Sequence, residues 1–329
     1  MAPIHALFIR AGAISLSLLL AACGAPQQKA ESSSSGARLP VVTTFLPITL
    51  FTRAVAGDCA TVTPLIPANT GPHEFQARPS DLTALRQARV LVKNGLEMEG
   101  FLDKLVASVG NSELAVIDSS RGIATIDAPE GEAEHGHEHG SAHEHGEDEG
   151  HGHAHGAVNP HIWLDPLRAV QQVETIRDGL VKADPSCAEG YKRNAAAYIT
   201  QLQTLNSEIA AQLKPYSGKT FIAFHDFAPY FAQRYGLKAE FLVDVPELNP
   251  SPADLQRVGA EVRKTQLKAL LSEPQEGQRS FNTLAQDLGV KIVVFDPLET
   301  GSLDAAKDPG TYLQVMRQNA AGLVQAFGG

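Results

Sequence analysis

Short apolar runs alternate with amphipathic stretches along most of the chain. Val41-Val42-Thr43-Thr44-Phe45 is a β-branched, apolar run of the kind that forms a buried strand, and Pro47 follows with a helix to about Ala56. Residues 61–66 form a second strand-like run. A loop rich in Pro, Gly and Asn covers 67–78, and Pro79-Ser80-Asp81 opens a helix that Ser80 or Asp81 would cap. Further strands are expected at 90–93 and 114–117. Strands alternating with helices imply βαβ units and a parallel sheet.

The middle of the chain changes character. Asp165-Pro166 sets an N-cap followed by proline at the first helical position, and that helix should end near Ala183. Asp184-Pro185 begins a longer one. Tyr191, Ala195, Tyr198, Leu202, Leu205, Ile209 and Leu213 recur at spacings of three and four, which is one amphipathic helix. About 28 residues at 1.5 Å each would span roughly 42 Å, a length suited to a strut between two lobes.

Beyond the strut the alternation repeats. A buried run over 221–224 leads into His225, and Asp226 is placed to cap a helix over 227–235 that Gly236 would end. A strand near 239–243, a helix from Ser251, and strands at 269–272 and 291–295 follow. Asp296-Pro297 comes after the last of these, and a closing helix covers about 311–327. The expected fold is therefore α/β, with parallel sheets in two lobes. Residues 39–185 form the first lobe, 186–214 the linking helix and 215–329 the second.

Charge and composition add an insertion. The formal net charge is -10, and nine of the 37 acids fall between Asp127 and Glu149 with no Lys or Arg among them. The remaining 28 acids nearly balance 27 bases, so the negative charge belongs to one loop and no basic nucleic-acid footprint exists. The same stretch, within a loop over 130–157, carries eight of the twelve histidines: His135, His137, His139, His143, His145, His151, His153 and His155. With no apolar run to bury, it cannot form a packed element, and its composition suits weak cation binding.

The N-terminus reads as an export signal over 1–22. A short apolar core after Arg10 is too brief to span a bilayer comfortably. It ends in Leu20-Ala21-Ala22-Cys23, which resembles the bacterial lipobox and implies that Cys23 carries a lipid. Residues 23–38 then form a polar tether. The three cysteines lack CxxC spacing, which argues against a thiolate zinc site; Cys59 and Cys187 could pair in an oxidising compartment.

Only four histidines lie outside the tract: His5, His73, His161 and His225. His225 and Asp296 directly follow strands, His73 lies in a loop after a strand, and His161 in a loop leading into a helix. Ligands of open parallel sheets bind beyond the carboxyl ends of strands. If the halves face each other, His73, His161, His225 and Asp296 converge on one cleft. Glu74 or a water could replace Asp296 as fourth ligand. Asp165 is read as a helix cap and Trp163 as packing. Three imidazoles with one carboxylate or water suit zinc; manganese prefers more oxygen. A zinc hydrolase would use similar ligands, but no nucleophile motif accompanies them.

Four segments taken together carry a family resemblance. Thr70-Gly71-Pro72-His73 with Arg78-Pro79-Ser80-Asp81 comes first, then Asn159-Pro160-His161-Ile162-Trp163-Leu164-Asp165-Pro166. Phe224-His225-Asp226-Phe227 with Tyr230-Phe231 and Phe295-Asp296-Pro297-Leu298 complete the series. In this order, from about Pro40 onward, the chain resembles the zinc-binding (ZnuA-like) solute-binding proteins of bacterial ABC importers. The resemblance implies two Rossmann-like lobes joined by one rigid helix. It places a metal in the cleft, on His73, His161 and His225, with Asp296 at the family's carboxylate position. It further implies a non-enzymatic monomer, lipid-anchored in the periplasm or on the cell surface, that passes Zn2+ to an ABC permease. A histidine at 225, where manganese relatives commonly have Glu, points to the zinc branch; a manganese carrier of the same family is the alternative.

Overall fold

The computed structural model describes residues 38–73, 75–128, 157–246, 248–274 and 279–328. The export signal, the tether with Cys23, Glu74 and the eight-histidine tract lie outside them.

Two four-stranded parallel sheets organise the described chain. The first holds β1 (Leu39–Thr43), β2 (Ala60–Pro64), β3 (Val90–Lys93) and β4 (Ala115–Asp118) in the order β2-β1-β3-β4. The second holds β5 (Thr220–His225), β6 (Lys238–Val243), β7 (Ala269–Ser272) and β8 (Lys291–Val294) in the order β6-β5-β7-β8. The topology is the same in both. Each sheet grows outward in one direction, then reverses, so a switch point lies between its two central strands. The connections are α1 (Leu46–Ala56), α2 (Pro79–Gln87) and α3 (Leu102–Val109) in the first half. In the second they are α6 (Pro229–Tyr235), α7 (Pro252–Thr265) and α8 (Arg279–Leu288).

Between the sheets run α4 (Pro166–Ala183) and α5 (Ala188–Leu213). The 26 residues of α5 reach about 39 Å at 1.5 Å each. Its buried residues are the seven that the sequence spacing selects, Tyr191 through Leu213. The two-lobe α/β architecture with a long joining helix is thus present. Asp184 caps a short 3-10 turn over Pro185–Cys187 rather than α5 itself. The closing helix, α9 (Gly310–Ala326), packs on α5. One apolar cluster runs unbroken from Val41 and Val90 of the first sheet through Leu202 and Leu205 of α5 to Phe221 and Leu271 of the second. A shared core of this kind resists free hinging of the halves, because separating them would expose it to water.

Two local expectations change, and the possible cysteine pairing is met. Arg78, not Ser80 or Asp81, holds the N-cap position of α2, and the Asp81 carboxylate accepts from the Arg78 backbone N–H at 2.7 Å. Asp226 does not cap α6: the helix starts later, at Pro229, with Ala228 at the N-cap position, and the Asp226 carboxylate accepts from Asn159 instead. Cys59 and Cys187 are joined as a disulfide, with Cα atoms 6.1 Å apart. It ties the turn before β2 to the start of α5.

Candidate metal centre

Each sheet presents its switch point to the same region. In the second, His225 is the last residue of β5 and Glu273 directly follows β7, so the two flank the reversal of strand order. In the first, the equivalent crevice holds Glu99, which is buried. Its carboxylate accepts from the Thr44 hydroxyl at 2.7 Å and from the backbone N–H groups of Asn94 and Gly95 at 2.7 and 3.1 Å. Asn94 then donates to the Pro160 carbonyl at 3.0 Å, which anchors the loop carrying His161 above that crevice.

Trp163, wholly buried, links this loop to the one after β8. Its indole N–H donates to the Pro297 carbonyl at 2.8 Å. Asp165 caps α4 by accepting from Leu167 N–H, and both of its oxygens are held by Arg234 at 2.7 Å. After β8 the Asp296 carboxylate accepts from the Leu298 N–H at 2.7 Å. Leu298 has φ +63°, a left-handed conformation that costs of order 1–3 kcal/mol in a bulky residue. That turn is what delivers Glu299.

Four side chains meet as a result: His73, His161, His225 and Glu299. One donor atom from each lies within 4.8 Å of all the others. A Glu299 oxygen is 2.9 Å from Nε2 of His161 and 3.4 Å from Nε2 of both His73 and His225, and the His161 and His225 Nε2 atoms are 3.4 Å apart. Donors about 2.0–2.2 Å from a tetrahedral zinc stand roughly 3.3–3.6 Å from each other, so the three 3.4 Å separations match that ion and the 2.9 Å Glu299–His161 contact would open slightly around it. His161 and His225 are inaccessible to water, and His73, on the loop after β2, keeps 8% of its side chain exposed.

The electrostatics are those of a cation site. Burial by itself would lower the His225 imidazole, but Glu273 and Glu299 against it outweigh that and hold it well above the ordinary 6.5. Burial would raise the Glu299 carboxyl, yet the surrounding imidazoles of His225, His73 and His161 hold it well below the ordinary 4.5. Burial also pushes Glu273 up, and contact with His225 pulls it back. The imidazole between two carboxylates is the group that keeps the proton. A positive charge is therefore favoured at this spot whether a proton or a metal supplies it.

A family model described as the periplasmic component A of the zinc-uptake complex matches residues 41–326. The chain belongs to that family. A curated member, the high-affinity zinc uptake system protein ZnuA of Bacillus subtilis, is 34% identical over 304 residues, 92% of each chain. The zinc-binding lipoprotein AdcA of Streptococcus pneumoniae is 34% identical over 310 residues; the match takes in 94% of this chain but only 58% of that longer one. The crystal structure of its Zn(II)-bound ZnuA-like domain superposes with a TM-score of 0.71 at 32% identity, covering 88% of this chain and 99% of that domain.

Within this zinc-uptake family member, three of the four expected site residues come together and Asp296 does not join them. Its carboxylate shapes the turn, and burial pushes it up to about 6. The carboxylate in the cluster is Glu299, which the sequence reading missed. A signal existed: an Asp directly before Pro reads naturally as a turn residue, which leaves the next acid in the loop as the donor. Glu273 was also missed, although it follows its strand just as His225 ends one.

Proposed function

We propose that this chain is an extracytoplasmic solute-binding protein that captures Zn2+ and delivers it to an ABC permease. The observation that carries the reading is the convergence of three imidazoles and one carboxylate from three loops and the end of β5. The family's role in zinc uptake and the zinc-bound relative support it. Three nitrogens and one oxygen favour zinc over manganese. A protein carboxylate in the fourth position closes the coordination sphere, whereas catalytic zinc keeps a position open for water, so a hydrolase is disfavoured.

The zinc would be held by His73, His161, His225 and Glu299, displacing the proton on His225. The shared core limits lobe motion, so loading and release fall to the loops, above all the one bearing His73. Export, a lipid on Cys23 and a monomeric state complete the proposal; the Cys59–Cys187 disulfide is in keeping with an oxidising compartment. Among the described residues no helix is long and apolar enough to cross a membrane. Calorimetry tests the reading. Zinc should bind tightly with one-to-one stoichiometry, and His161→Ala should abolish that event. Deleting residues 134–156 should remove only weaker binding; loss of the tight event on deletion would overturn the assignment.

A further inference from the structure

His161 and His225 are held in the same manner, each by a single oxygen that accepts twice from one histidine. A Glu273 oxygen accepts from the His225 backbone N–H at 3.1 Å and lies 2.7 Å from its Nδ1. The Asn159 side-chain oxygen accepts from the His161 backbone N–H at 3.0 Å and lies 3.0 Å from its Nδ1. A carboxylate behind a metal-binding histidine is a common support. An amide is less obvious, because either of its ends could face the ring.

Here the orientation is forced. The backbone carbonyl of Asp226 can only accept, so the Asn159 atom 2.7 Å from it is the amino nitrogen. The His161 backbone N–H can only donate, so the atom facing it is the oxygen. That oxygen has no proton to give, and Nδ1 of His161 must therefore be the protonated one. Nε2 is left to face Glu299 and any bound ion. The amino group of Asn159 also donates to the Asp226 carboxylate at 2.9 Å, and Asp226 is the neighbour of His225 in sequence. One side chain thus touches His161 and the strand end that presents His225.

The backbone of Asn159 is itself pinned. The Tyr230 hydroxyl donates to the Asn159 carbonyl at 2.7 Å and accepts from the Ile126 N–H at 3.0 Å. The Tyr230 ring packs with Ile123 and Ile162 in a small buried cluster.

We propose that Asn159 is a positioning residue for zinc capture, locking His161 with its proton on Nδ1 and tying it to the β5 end that carries His225. The proposal rests on the four-residue cluster being the zinc site. Two readouts test it on the full chain: zinc affinity by chelator competition, and the His161 tautomer by long-range proton–nitrogen NMR of the metal-free protein. Asn159→Ala should weaken zinc about 10–100-fold, the usual cost of losing an outer partner of a ligand, and release the tautomer. Asn159→Asp keeps an acceptor opposite Nδ1 but loses the donor to Asp226, so it should keep the proton on Nδ1 while loosening the tie to the β5 end, which judges the tautomer lock separately if Asn159→Ala folds poorly. Unchanged zinc affinity in Asn159→Ala, or a wild-type His161 without a proton on Nδ1, would overturn the proposal. A wild-type protein that takes up no zinc would instead refute the metal-site reading, and the tautomer measurement would still judge the lock on its own.

Discussion

A carboxylate oxygen of Glu299 lies 2.9 Å from Nε2 of His161, across 138 residues of sequence. One residue follows the last strand of the second sheet, and the other sits in the loop covering the first. Their contact brings the two halves of the molecule to a single point. Glu299→Ala should therefore weaken zinc by more than the roughly 100-fold typical of losing an outer-shell partner. Asp296→Asn should keep one-to-one binding, since its oxygen can still accept from Leu298. Competition with a chromophoric chelator separates the two; equal losses would return Asp296 to the ligand set.

The protonation of His225 makes zinc affinity and metal-free stability respond oppositely to pH. Its folded value is raised above the unfolded 6.5, so its contribution to stability is fully present below 6.5 and is lost as pH rises through the folded value. The Tm of the metal-free protein should accordingly fall as pH climbs above that window. Zinc must displace the same proton, so affinity should drop by about tenfold per pH unit below the folded value, beginning above 6.5 rather than at it. Glu299 works at the other end: held below 4.5, it contributes stability present above 4.5 and lost as pH falls through its folded value. Glu273→Gln removes one of the two carboxylates raising His225 and should bring the onset of the affinity loss to lower pH. Melting and chelator titrations across the range check both arms.

How much of this the sequence disclosed depended on how local the cause was. The seven buried residues of α5 were legible because helical spacing alone selects them, and Asp165 was legible as a cap because Asp-Pro specifies a helix start within two residues. His73, His161 and His225 could be singled out because histidine is scarce outside the acidic tract. What failed was decided by distant partners. Asp226 was assigned to a cap, yet Asn159, 67 residues away, takes its carboxylate. Glu299 is a different case: the Asp296-Pro297 pair hints at a turn, but not that the chain turns left-handed at Leu298 and engages the Asp296 carboxylate there.

The Cys59–Cys187 disulfide closes a 128-residue separation, and neither cysteine belongs to the cluster. Replacing both with Ala should cost about 2–4 kcal/mol of stability through the freed unfolded chain and leave zinc affinity unchanged. Melting and zinc titration of the double variant check this; a large loss of affinity would mean that the disulfide shapes the site.

The most direct test is a crystal structure of the zinc-loaded protein measured at the zinc absorption edge. A single anomalous peak should stand about 2.0–2.2 Å from Nε2 of His73, His161 and His225 and from an oxygen of Glu299. A zinc-loaded crystal whose only anomalous peaks lie away from these four side chains would contradict the account.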